Sequence, residues 1–130
     1  MSFNFYIGSL VSRINLAAAH NKSCVVAEKS PVGLKILTLL MKNHFIKGFV
    51  VSKNTFIIYL RYGAQRSLIK KLSVISNPSK RVFISVYTLH SLIHTNPCSF
   101  FILSTTKGLL AASDCCNLNL GGELLFSINF

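Results

Sequence analysis

Ser99-Phe100-Phe101-Ile102-Leu103-Ser104-Thr105-Thr106-Lys107-Gly108 is an apolar run that opens directly into three hydroxyls, one base and a glycine. The aromatic and aliphatic half, preceded by the Asn96-Pro97 break, predicts a strand. The polar half predicts a loop suited to folded RNA. Hydroxyls are short enough to reach base edges and 2′-OH groups in a shallow minor groove, Lys107 can meet phosphate, and Gly108 permits close backbone approach. A Ser/Thr cluster by itself is more often a solvated turn, so the meaning of this segment depends on the rest of the chain.

Around it, short strands are expected at Leu68–Ile75, Val82–Val86, Phe100–Ser104 and Leu124–Ile128. Loops at Asn77–Ser79, Asn96–Pro97 and Gly121–Gly122 separate them. Brief helical turns fit Leu89–Ile93 and Ser113–Cys116. The first half has a different period. Ile7, Leu10, Val11, Ile14, Ala17 and Ala18 recur at helical spacing on a helix from about Gly8 to Ala19, with Arg13 off the stripe. A strand at Ser23–Ala27 follows. Ser30 and Pro31 then start a helix over Val32–Lys42, with Val32, Ile36, Leu39 and Leu40 inward, Lys35 and Lys42 outward, and Asn43 as a left-handed stop. Phe45–Val51 and Thr55–Tyr62 read as strands joined at Lys53 and Asn54. The fold class is therefore α+β in two small modules. An α-β-α-β-β module over residues 1–63 precedes a β-rich module with short helices over 64–130, the boundary lying near Gly63 where Tyr62-Gly63-Ala64 breaks the pattern.

Fourteen Lys and Arg stand against Glu28, Asp114 and Glu123, a formal charge of +11. No acid occurs from Lys29 to Ser113, a stretch holding twelve of the fourteen bases, so external anions are expected to neutralise them. Nucleic-acid backbone is the natural supply, because each neutralised phosphate releases condensed counterions. The bland reading is a basic surface that only keeps the chain soluble. A peripheral membrane protein binding anionic lipid is the stronger alternative, given a mean hydropathy of +0.51. Against it, the bases are scattered through short elements and form no long amphipathic helix. The uncharged run Val82–Thr106 contains His90, His94, Asn96 and Pro97 and does not read as a transmembrane span.

Catalysis is not expected. The acids are few and none forms a motif beside His or Cys. Cys24, Cys98, Cys115 and Cys116 have neither zinc-ligand spacing nor an evident disulfide framework, and read as small packing side chains. His90 and His94 share a helix face but lack further ligands nearby, so no metal, cofactor or small-molecule substrate is expected. The amino terminus shows no signal peptide, as no basic segment precedes its apolar residues.

Four blocks in order resemble one family. Leu10-Val11-Ser12-Arg13-Ile14-Asn15 is similar to a Leu-Thr-Arg-Ile-Arg-Asn helix. Ser76-Asn77-Pro78-Ser79-Lys80-Arg81-Val82-Phe83 is similar to Ser-x-Pro-Gly-x-Arg-x-Tyr. Ser104-Thr105-Thr106-Lys107-Gly108 and Gly121-Gly122-Glu123 match a carboxyl-terminal signature. Together they resemble ribosomal protein eight of the small subunit, of bacterial or organellar type, over nearly the whole chain. The resemblance implies an α/β module followed by a β-rich one, and a structural role on the central domain of small-subunit ribosomal RNA among neighbouring ribosomal proteins. It implies that Ser104, Thr105, Thr106, Lys107 and Gly108 form the main RNA-contact loop, flanked by Ser76, Lys80 and Arg81, with Arg13 adding a contact. Glu123, with Gly121 and Gly122, would support the loop. Ser79, Phe83 and Asn15 depart from the family's Gly, Tyr and second Arg, and Leu109-Leu110-Ala111-Ala112 replaces a polar stretch. Abundant Phe, Ile, Asn, Lys and Ser without Trp suggest an AT-rich organellar genome, a mitochondrion first, with a plastid or reduced bacterium looking similar.

Overall fold

The computed structural model describes residues 3–63, 68–77 and 79–130, and of residues 3–5 the backbone alone. Ala64 and Pro78, which enter the boundary and Ser76–Phe83 readings, lie outside the described residues. The chain forms two compact units, Met1–Leu72 and Ser73–Phe130. The expected boundary lay earlier, near Gly63. Leu72 belongs with the first unit because Asn15 clamps it: its amide nitrogen donates to Leu72 O at 2.8 Å, and Leu72 N donates back to Asn15 Oδ1 at 2.7 Å.

The first unit runs α1 (Phe3–Ala19), β1 (Cys24–Glu28), α2 (Pro31–Lys42), β2 (Ile46–Val51) and β3 (Thr55–Leu60), the α-β-α-β-β order that periodicity implied. The strands pair antiparallel in the order β1-β3-β2. Alternation sends Val25 and Ala27 of β1 and Phe56, Ile58 and Leu60 of β3 inward. The α1 stripe Ile7, Leu10, Val11, Ile14, Ala17 and Ala18 is buried throughout. On α2 the buried set is Gly33, Ile36, Leu37 and Leu40, a stripe at i, i+3, i+4, i+7; the expected Val32 and Leu39 are only half-buried. In β2 the register shifts between Ile46 and Gly48, leaving Lys47 as the extra residue of a bulge.

Asn43 is not the left-handed stop. It has φ −92°, and His44, at φ +64°, takes that conformation. Phe45 N then donates to Leu40 O at 2.9 Å and His44 N to Met41 O at 3.1 Å, the paired bonds of a Schellman closure. Asn21 closes α1 and Asn119 closes the last helix in the same way. A left-handed non-glycine residue costs about 1 kcal/mol. His44→Gly is therefore expected to raise stability by up to about 0.5 kcal/mol after allowance for glycine's looser unfolded chain. Urea midpoints measure this, and a lowered midpoint would show that the imidazole contributes more than its backbone costs.

In the second unit β5 (Phe83–Ile84), α3 (Val86–Thr95), β6 (Ser99–Thr105), β7 (Gly108–Ala111), α4 (Ala112–Asn117) and β8 (Gly122–Asn129) follow β4 (Lys71–Val74). The sheet order is β4-β8-β6-β7, with β5 also paired to β8. Leu89, Phe101, Leu103, Ala112, Cys115 and Leu124 form a core against which Ile84, Leu92, Ile93 and Leu110 pack. Two features went beyond the sequence expectation. Helix α3 is a full ten residues, capped by Ser85 Oγ accepting from Thr88 N at 3.4 Å. The Leu109–Ala112 stretch completes strand β7 and begins α4, with Ala111 and Ala112 buried.

Candidate nucleic-acid interface

Strands β6 and β7 form a hairpin in which Thr105 pairs with Gly108, and Thr106 and Lys107 make the turn. Gly108 has φ +104°, a conformation that side chains rarely adopt. Placing it after the turn lets Thr106 and Lys107 keep ordinary negative φ while the strands stay in register. Thr105 locks the turn, its hydroxyl donating to Gly108 O at 2.9 Å and accepting from Lys107 N at 3.2 Å. Thr106 and Lys107 are left exposed at the tip.

Beneath the hairpin lies a buried carboxylate. Ser104 stands opposite Glu123 of β8, so the two side chains share a sheet face. Glu123 is 8% exposed, and its Oε1 accepts from Ser76 Oγ at 3.0 Å and from Arg81 Nη1 at 3.2 Å. Ser76, 1% exposed, in turn accepts from Val82 N at 3.4 Å. Thus Ser76, Arg81, Glu123 and Ser104, separated in sequence, come together. The Glu123 carboxylate thus accepts from both Ser76 and Arg81. Arg81 corrects the expectation that external anions must neutralise the bases of this stretch, since Glu123 already pairs with it in the one ion pair among the described residues.

Gly121 and Gly122 permit this closeness. A Cβ on Gly121 would stand 2.7 Å from Ile84 O, and one on Gly122 would overlap Ser104 O and meet Thr105 Cγ2 at 3.1 Å. Neither needs a left-handed backbone; each needs the absence of a side chain. Lys80 is exposed in a tight turn, Asn77 N donating to Lys80 O at 2.9 Å. Arg13 belongs to the first unit, where its guanidinium donates to Val26 O at 3.0 Å on edge strand β1.

Nothing in this arrangement activates a nucleophile. Cys115 is fully buried, and burial, with the neighbouring Cys116 and Asp114, pushes its thiol up from its ordinary range. Cys116 is raised by burial as well. Thiolate chemistry needs the opposite shift. Sequence reasoning did not find the Ser76–Arg81–Glu123 set as a unit, because only the fold brings β8 against the segment before β5.

Comparison with known proteins agrees with the four blocks. The chain is 32% identical over 127 residues to "Small ribosomal subunit protein uS8" of Agrobacterium fabrum, covering 94% of this chain and 95% of that protein. It is 31% identical over the same length to the protein so named of Rhizobium rhizogenes and 32% to that of Sinorhizobium fredii, with the same coverage. Residues 6–129 match the family described as Ribosomal protein S8, whose members are structural and non-enzymatic. Family match, α+β architecture and signature hairpin coincide, and the chain belongs to the ribosomal protein S8 family.

Proposed function

We propose that this chain is a structural component of the small ribosomal subunit that binds the central domain of its RNA and supports assembly there, beside neighbouring ribosomal proteins. The observation that carries the reading is the hairpin tip. Thr106 and Lys107 stand exposed on a turn that Thr105 and Gly108 lock, above a buried Glu123 that fixes the neighbouring strand. A preorganised polar tip meets RNA without the cost of ordering a loop. Lys107 supplies the phosphate contact, Thr106 and Ser104 the hydroxyls, Gly108 the close backbone approach. Lys80 and the exposed part of Arg81 extend the surface, and Arg13 adds a contact from the first unit. Ser76, Gly121 and Gly122 act with Glu123 as support.

Binding of the purified chain to a transcript of the small-subunit RNA central domain, across a KCl series, tests this. Lys107→Ala is expected to weaken binding and lower the slope of log affinity against log salt by about 0.7–0.9. Ser104→Ala with Thr106→Val, which leaves the Thr105 lock in place, is expected to narrow the preference for that transcript over an unrelated one. Equal losses on both transcripts would contradict a reading role for the hydroxyls. The composition, poor in acids and Trp and rich in Phe, Ile, Asn, Lys and Ser, supports residence in a mitochondrial ribosome. Mass spectrometry of small subunits purified from mitochondria, plastids and cytoplasm decides the compartment. No helix among the described residues is long and apolar enough to cross a membrane.

A further inference from the structure

The sheet of the first unit has a bare side. Helix α1 packs on β1 and α2 on β2, and the inward set Val25, Ala27, Phe56, Ile58 and Leu60 is buried. The side chains between those positions alternate to the opposite face. There Val26, Ile57 and Val50 stand abreast across the three strands, and in the next row Cys24 faces Tyr59. Val26 is 50%, Val50 51% and Tyr59 41% exposed, with Cys24 exposed beside them. One exposed valine is ordinary, and β-branched residues suit any strand. A contiguous row is different, because an antiparallel sheet with one solvated face ordinarily places polar residues there.

Charge stands around these rows and not in them. Residues 1–72 carry eleven Lys and Arg against Glu28 alone, a formal +10. Lys22 and Lys29 flank β1, Lys53 lies in the turn between β2 and β3, and Arg61 follows β3, all exposed. An apolar centre inside a charged rim is the anatomy of a protein interface. The strand edges offer less. In β1 the Val26 and Glu28 carbonyls already accept from the Arg13 guanidinium at 3.0 Å and the Tyr6 hydroxyl at 2.6 Å, and the bulge at Lys47 interrupts β2.

We propose that this sheet face docks another protein, whose contact element presents an apolar stripe flanked by Asp and Glu. The inference rests on the reading of the chain as a component beside other ribosomal proteins, and adds which surface meets one of them and with what chemistry. Carboxylates at the partner's rim pair with bases that have no acid within ion-pair distance among the described residues. A second copy would bring two +10 units together, and RNA finds no cation in the apolar rows.

The test uses the tagged full chain in intact cells, with the photo-crosslinker p-benzoylphenylalanine in place of Tyr59. After irradiation the chain is purified under denaturing conditions and whatever is attached is identified by mass spectrometry. One protein is expected, attached through a segment whose apolar residues are flanked by Asp or Glu. In the same background V26T/V50T, which keeps side-chain shape and strand preference, is expected to lower the crosslink yield at least about five-fold. Its urea midpoint and its affinity for the central-domain transcript should stay at wild-type values. Crosslinks to RNA, to lipid, to a second copy or to many proteins alike overturn the proposal, as do no crosslink at all and an unchanged yield in the valine variant. A lowered midpoint leaves the decision to the attached segment, which must carry the acids. The ribosomal reading fails separately, if the tagged chain does not co-sediment with small-subunit RNA, and the crosslink still reports on the face.

Discussion

Replacing Glu123 by Ala is expected to destabilise the isolated protein by about 2–3 kcal/mol and to loosen the β6–β7 hairpin. The largest part comes from Ser76. Its hydroxyl, 1% exposed, loses its acceptor, and an unsatisfied buried donor costs about 1–3 kcal/mol. The Arg81 bond contributes less. That side chain is 51% exposed and returns to water, so its share is under about 1 kcal/mol. Glu123→Gln keeps the volume and an acceptor for Ser76, and should retain more than half the lost stability. Denaturant unfolding of the three proteins measures this. A Glu123→Ala variant within about 0.5 kcal/mol of wild type would mean that the carboxylate does not hold these strands together.

Gly33→Ala is the second large effect, and its sign opposes helix propensity. Alanine in place of a helical glycine ordinarily gains up to about 1 kcal/mol, somewhat less in the first turn, where Gly33 stands. In α2, however, a Cβ on Gly33 would overlap the Tyr6 hydroxyl and stand 2.8 Å from Tyr6 Cζ and 2.9 Å from Cε1. The ring cannot swing away freely. It is 8% exposed, and its hydroxyl donates to Glu28 O at 2.6 Å. Burial above all, then the Glu28 charge, pushes the phenol above its ordinary range against a smaller pull from Arg13, so it remains a donor. Overpacking at about 1–3 kcal/mol plus the strained hydrogen bond outweigh the propensity gain, for a net loss of about 2 kcal/mol. In a Tyr6→Ala background the same substitution should become neutral or stabilising. Absence of that coupling would place the cost elsewhere in α2.

How far the fold could be read from sequence follows from where each signal resides. The α1 stripe and the β-branched and aromatic run of β3 are local patterns, and a helix and a strand stand where they were expected. Helix α3 reads in the sequence only as a turn at Leu89–Ile93. Thr88, Ser91 and Thr95 blur its apolar period, whereas the Ser85 cap that extends it lies outside the periodic residues. Strand β7 was hidden because Leu109 to Ala112 is a short apolar run with no period of its own; pairing with β6 makes it a strand. The candidate site divides along the same line. Glycine and hydroxyl spacing marked the loop, but the convergence of Ser76, Arg81 and Glu123 depends on β5, β6 and β8 lying side by side, which no local window contains. Asn15 illustrates the remainder. As a departure from the family's arginine it looked like a weakened contact, yet its amide holds Leu72 by both edges.

Asn21, His44 and Asn119 each turn a helix end through a conformation that glycine would occupy at little cost. Their combined conformational penalty is on the order of 1–2 kcal/mol, since asparagine visits this region more readily than most side chains, and it takes a share of the small total margin of a domain. A free polypeptide bearing that load has less margin against unfolding. One whose native state is captured by a partner gains the free energy of capture, and so can carry residues that a solitary protein would have had to replace.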